Sequence, residues 1–196
     1  MEKESLGKDF WDGRHLSGDT GWDVGYPSPP LREYFDQLND LSLRILIPGC
    51  GNAWEAEYLY NKGFKNISLL DISPEALKKF RERNPGFPVR QLFCTDFFRH
   101  KGKYDLIAEQ TFFCAIHPSL RKDYVLKMHS LLGKGGKLCG LLFDDRLNND
   151  APPFGGNRDE YISLFSPCFR IKTIERAYNS IQPRAGRELF FIFEKK

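Results

Sequence analysis

The chain reads as a doubly wound α/β protein, and three observations predict it. Apolar runs and amphipathic stretches alternate from Ser42 onward, the pattern of a parallel sheet covered by crossover helices. The run Leu43–Pro48 leads straight into Gly49-Cys50-Gly51. A second run, Ile67–Leu70, ends in Asp71, about twenty residues past the glycines. The expected architecture is Rossmann-like: a mostly parallel seven-stranded sheet with an antiparallel C-terminal hairpin. At 196 residues the chain is long enough for one domain with a sizeable core. Residues 1–41 read as an N-terminal arm and residues 42–196 as the α/β core.

The elements follow in order. Residues 8–23 carry Trp11, Trp22 and the glycines Gly13, Gly18 and Gly21, with little clean periodicity. Pro27-Ser28-Pro29-Pro30 punctuates the chain, and Leu31–Leu38 reads as a short helix. Strand one is Arg44–Pro48; Ala53–Lys62 reads as a helix stopped by Gly63. Strand two is Asn66–Asp71. Ser73-Pro74-Glu75 starts the next helix, with serine at the cap and proline at the first helical position. Pro85-Gly86 ends it, and Val89–Cys94 and Tyr104–Glu109 read as strands three and four. Pro118 opens a helix to about Leu132, and the glycines at 133, 135 and 136 turn the chain into Lys137–Phe143. The stretch 147–157, rich in Asn, Asp, Pro and Gly, reads as an exposed loop. A helix near Arg158–Phe165 and strands near Phe169–Ala177 and Glu188–Glu194 close the fold.

Composition excludes several function classes. With 29 basic and 26 acidic residues well interleaved, the chain shows no basic stripe for nucleic acid. No run approaches the roughly eighteen apolar residues of a membrane span. Five scattered cysteines lack C-x-x-C spacing, and the start, Met1-Glu2-Lys3-Glu4-Ser5, lacks a leader-like apolar region. These features point to reduced thiols and a cytoplasmic location. Seventeen phenylalanines suggest aromatic packing or an aromatic-lined pocket. The four histidines show no ligand spacing, so no metal is expected.

The glycine turn is a cradle for a nucleotide cofactor. Glycine allows the backbone close to a ligand, and an acid at the tip of the next strand can accept from both ribose hydroxyls. A dinucleotide fingerprint wants a third glycine five positions after the first; that position is Trp54. A bulky ring there argues against pyrophosphate on this helix. S-adenosylmethionine has no phosphate and needs only the two glycines and the acid, so the cradle favours it over NAD. The alternative is a βαβ unit with no ligand. Ligands in such sheets bind outside the strand carboxyl ends, which gather Gly49–Gly51, Asp71, Asp96, Glu109–Gln110 and Phe143–Asp145.

These residues resemble a known family. Phe10-Trp11-Asp12-Gly13-Arg14-His15 and Gly18-Asp19-Thr20-Gly21-Trp22-Asp23 resemble the start of the thiopurine S-methyltransferase superfamily, most of all its plant-type halide/thiol methyltransferase branch. So do Ile47–Gly51, Leu70-Asp71-Ile72-Ser73, Phe112-Phe113-Cys114-Ala115-Ile116-His117-Pro118, Ala151-Pro152-Pro153-Phe154 and Ser180-Ile181-Gln182-Pro183-Arg184. The similarity spans nearly the whole chain. It implies a methyltransferase with S-adenosyl-L-methionine held by Trp11, Trp22, Gly49, Gly51, Asp71, Asp96, Phe97 and Gln110. Where the plant-type pattern has a third tryptophan this chain has His15, which is counted among the cofactor-binding residues, and where it has a tyrosine this chain has Phe143.

The implied acceptor is a small molecule: a thiol, thiocyanate or halide. A thiol is partly ionised at neutral pH and the anions need no base, whereas an alcohol or amine would want one. Asp144, Asp145 and His117 are the candidate bases. Arg121, by resemblance to thiopurine-type relatives, lies near the acceptor and could attract an anion; Arg184 and Arg187 offer the same chemistry. The arm is expected to be mobile without cofactor and to order over it as a lid. The competing functions are O- or N-methyl transfer and non-catalytic S-adenosylmethionine binding.

Overall fold

The computed structural model describes residues 6–196, so the first five residues of the expected arm lie outside the described residues. Its sheet has seven strands: β1 (Ile45–Pro48), β2 (Ile67–Asp71), β3 (Leu92–Cys94), β4 (Tyr104–Gln110), β5 (Leu132–Phe143), β6 (Phe169–Arg176) and β7 (Glu188–Lys195). Their spatial order is β3-β2-β1-β4-β5-β7-β6. The first five pair in parallel, and β7 runs antiparallel to both β5 and β6. The order reverses direction at β1, next to β4, and that switch point opens a crevice at the carboxyl edge.

The helices are α1 (Lys8–Ser17), α2 (Pro29–Asp36), α3 (Trp54–Asn61), α4 (Pro74–Arg83), α5 (Arg121–Leu131) and α6 (Arg158–Phe165). Both sheet faces are covered. In β1, Leu46 joins one core with Tyr124, Met128, Phe165, Phe191 and Phe193. Its neighbours Ile45 and Ile47 join the other, with Leu31, Phe35, Phe64 and Phe80. Adjacent residues entering opposite cores is the period-two alternation of a strand buried on both sides. Many of the phenylalanines go into these cores; Phe191 and Phe193, for example, pack with ring centroids 4.5 Å apart.

Three local expectations are corrected. Residues 8–17 of the arm are helical, although their own pattern is weak. Docking supplies what periodicity does not: Ser73 Oγ donates to Asp12, and Lys79 Nζ donates to the His15 carbonyl at 2.6 Å, tying α1 to α4. Strand three is shorter than expected, because Val89–Gln91 forms a 3-10 turn. The 147–157 stretch is not simply exposed. It folds back through an Asp145–Gly156 bridge and buries Phe154, whose N–H donates to the Cys114 carbonyl at 2.7 Å.

Candidate active site

The loops at the carboxyl edge and the arm enclose one cavity of about 490 Å³. Trp11, His15, Trp22, Gly49, Gly51, Asp71, Asp96, Phe97 and Gln110 all line it. Strand order divides it. Residues following β1, β2, β3 and β4 form one end; residues following β4 and β5 and preceding β7 form the other.

The glycine turn winds through left-handed backbone. Gly49, Gly51 and Ala53 have φ of 57°, 51° and 54°. A Cβ on Gly49 would lie 2.1 Å from the Phe112 ring, so only glycine lets that ring close on the turn. Asp71 is 6% exposed. One of its oxygens accepts from Gly51 N–H at 2.9 Å and the other from Ser73 N–H at 2.9 Å. The carboxylate is therefore held rigidly, with a lone pair on each oxygen left for a ligand's hydroxyls. Burial pushes its pKa up, and those two N–H bonds and the nearby His15 pull it back. Asp96 caps the 3-10 turn Phe97–Arg99 by accepting from Phe98 N–H at 2.7 Å.

The arm roofs this end. Trp22 meets Trp11 and His15 edge to face, with centroids 5.6 and 5.7 Å apart. The Arg14 guanidinium lies 5.0 Å from the Trp22 ring centroid. Burial lowers the His15 pKa, and the neighbouring Asp71 carboxylate opposes that shift. Asp23 accepts from Trp54 Nε1 at 2.6 Å and from Asn52. The residue that stands in place of a third glycine thus anchors the arm, and Arg83 stacks on its other side at 3.9 Å.

The other end is lined by Phe112, Cys114, Ile116, His117, Leu120, Phe143, Leu147, Pro152, Pro153, Pro183, Arg184 and Arg187. No carboxylate is among these residues. The carboxylates lining the cavity, Asp23, Glu55, Asp71 and Asp96, all come from the arm or from the segments that follow β1, β2 and β3. Cys114 is buried and its thiol pKa is raised, by desolvation first and by Glu109 second, which disfavours the thiolate. His117 Nδ1 is occupied by Ser119, whose N–H donates to it at 3.3 Å.

Three sequence candidates stand elsewhere. Arg121 was expected near the acceptor. Its guanidinium instead pairs with Glu160, donates to the Gly155 carbonyl at 2.6 Å and covers the Phe113 ring at 4.9 Å. It braces α5 against α6 and the folded-back loop and does not line the cavity. Asp144 pairs with Arg176 at 2.6 Å, and Asp145 pairs with Arg187. Both carboxylates sit behind the wall, held by arginines, because the turn after β5 carries their side chains toward the β6–β7 hairpin.

Glu109, named in the sequence only for its place at the edge, is fully buried. Its Oε1 accepts from Phe112 N–H at 2.7 Å and Phe113 N–H at 2.8 Å. That grip sets the turn that presents Phe112 to Gly49, with Thr111 forced to φ of 56°. Burial raises the Glu109 pKa to about 7. No signal short of the three-dimensional contact would have assigned it this task.

The sheet order, the antiparallel hairpin and a glycine-turn cavity under an aromatic arm define the Rossmann-like methyltransferase class. A family model described as thiopurine S-methyltransferase (TPMT) matches residues 6–195. The chain belongs to the thiopurine S-methyltransferase family and is a methyltransferase. It is 29% identical over 184 residues to "Probable thiol methyltransferase 2" of Arabidopsis thaliana, covering 91% of this chain and 81% of that one. It is 29% identical over 191 residues to "Thiocyanate methyltransferase 1" of Brassica oleracea, covering 94% and 84%. Magnesium protoporphyrin IX methyltransferase from Synechocystis PCC 6803, solved with bound SAM, superposes with a TM-score of 0.75, covering 100% of this chain and 98% of that one. At 12% identity, that likeness concerns the fold alone.

Proposed function

We propose that this protein transfers a methyl group from S-adenosyl-L-methionine to a small sulfur nucleophile or anion: a thiol, thiocyanate or halide. The observation that carries the acceptor class is the far end of the cavity. It presents two guanidiniums, Arg184 and Arg187, each backed by a carboxylate behind the wall, Glu188 and Asp145, while no carboxylate residue lines that end itself. Such a seat suits a nucleophile that arrives as an anion. An amine or alcohol would need a base; Asp144 and Asp145 are paired with arginines outside the cavity, which leaves His117, its Nδ1 engaged by Ser119, as the one candidate base that lines this end.

The residues at the near end fit the methyl donor. Gly51 leaves room for a close backbone contact, Gly49 lets the Phe112 ring close on the turn, and Asp71 offers one open lone pair per oxygen to the ribose. Asp96 and Phe97 suit the adenine, and Gln110 the methionyl part. When bound, the donor supplies a sulfonium whose methyl carbon is open to in-line displacement. Trp11 and Trp22 bring aromatic faces to that end, where cation–π attraction is worth about 0.5–2 kcal/mol. The arm excludes water, and the walls hold the nucleophile in line, where orientation supplies about 7–11 kcal/mol at best. A purely ligand-binding role is disfavoured because the cavity continues past Phe112 to Arg187.

All five cysteines are free, which supports a reducing, cytoplasmic setting. No helix among the described residues is long and apolar enough to cross a membrane. Calorimetry with S-adenosylhomocysteine and NAD tests the donor assignment: tight NAD binding without the homocysteine ligand would sink it.

A further inference from the structure

We propose that Arg184 is a positioning residue that locks the arm over the site and makes the acceptor seat dependent on arm closure. The proposal rests on the reading above for what the arm covers. Arg184 ends the 3-10 turn Gln182–Arg184, just ahead of β7, and is 8% exposed. Its Nη2 donates to the Trp22 carbonyl at 2.7 Å. Its Nη1 lies 3.5 Å from Glu188, itself 3% exposed. Glu188 pairs with Phe143 across β5 and β7, and the guanidinium faces the Phe143 ring at 5.9 Å.

One guanidinium thus joins three things. A buried carboxylate fixes it from the core. A main-chain carbonyl of the arm takes its other edge. The same side chain lines the acceptor end of the cavity. A planar fork with five donors suits this division, whereas a lysine ammonium is a point charge that cannot span both partners with the same geometry. The carbonyl belongs to the backbone, so the contact fixes the path of the arm whatever side chain stands at 22. The next residue, Asp23, is pinned on the opposite side by Trp54 and Asn52. The dipeptide Trp22-Asp23 is therefore stretched between the glycine-turn helix and the C-terminal turn. An anionic acceptor meets an Arg184 whose orientation Trp22 has already set, so the seat is complete only with the arm in place.

Hydrogen exchange on the full chain, without ligand, tests the lock. The variants are R184K, which keeps a cation beside Glu188, and R184M/E188Q, which removes the buried pair together. In the double variant the amides of residues 8–25 should exchange at least about ten-fold faster, the loss expected for one charge-assisted hydrogen bond. Amides of β1, β4 and β5 should be unchanged. R184K should fall between it and wild type. With a thiol acceptor, the acceptor KM should rise about ten-fold in R184M/E188Q and recover in part in R184K, at unchanged melting temperature. Wild-type arm protection in either folded variant would overturn the proposal. Failure of wild type to bind S-adenosylhomocysteine would instead overturn the donor reading and leave the exchange result standing.

Discussion

The two ends of the cavity are built differently. The donor end stands on the tips of β1 and β2, where the backbone N–H groups of Gly51 and Ser73 hold the Asp71 carboxylate within one βαβ unit. The acceptor end is assembled from segments far apart in sequence: the turn after β4, the folded-back loop after β5 and the turn before β7. At the donor end, main-chain geometry makes the site. At the acceptor end, side chains held by long-range ion pairs make it. The first arrangement tolerates few substitutions; the second can change its walls while the fold stays. The arm belongs to both, touching Trp54 at one end and Arg184 at the other.

The largest effect should come from removing what the ends share. Deleting residues 1–25 should abolish methyl transfer while the α/β core stays folded, read by product formation and circular dichroism. Full activity in the truncated protein would show that the ends work without a roof.

Next is a test of the donor end alone. Asp71→Ala should weaken S-adenosylhomocysteine binding about ten- to a hundred-fold, since hydrogen bonds to a charged group are worth roughly 1.5–3 kcal/mol each. Acceptor KM should change much less. A folded variant with normal donor affinity would place the ribose elsewhere.

Between the ends lies Glu109, whose pKa is raised by burial to about 7 in the folded protein. Its folded value exceeds its unfolded one, so its contribution to stability is complete below about pH 4.5 and is lost as pH rises through about 7. The unfolding free energy of wild type minus that of Glu109→Gln should therefore fall by about 3 kcal/mol between those limits. Denaturant melts at several pH values measure this. A difference that is flat with pH would mean that Glu109 is ionised throughout.

The smallest effects should come from the acceptor end's outer supports. Asp144→Asn should leave kcat within about three-fold of wild type, far from the ~10²–10⁴-fold loss of a general base. Asp145→Asn should mainly shift acceptor KM, by freeing Arg187 from its partner. A hundred-fold drop in kcat for Asp144→Asn would restore it as a base.

The same contrast explains what could be read from sequence. Gly49, Gly51 and Asp71 announce themselves because strand, turn, helix and strand follow within thirty residues. The mostly parallel sheet and its antiparallel C-terminal hairpin came from the same alternation, whereas the spatial order of the strands is visible only in the fold. Arg121 could not be placed, because its partners Glu160 and Gly155 lie more than thirty residues away. Asp144 and Asp145 look catalytic in one dimension, at a strand tip, until the β6–β7 hairpin brings Arg176 and Arg187 to them. The arm helix escaped notice because its stability comes from Ser73, which caps α4, and Lys79 on α4, and not from its own periodicity.

The most direct test of the account is a product screen with S-adenosylmethionine carrying a deuterated methyl group. Thiols, thiocyanate, iodide, catechols and amines would be offered in parallel, and products read by mass spectrometry. Labelled methyl is expected on sulfur or on the small anions, with little on oxygen or nitrogen. Labelled catechol or amine products alone would contradict that.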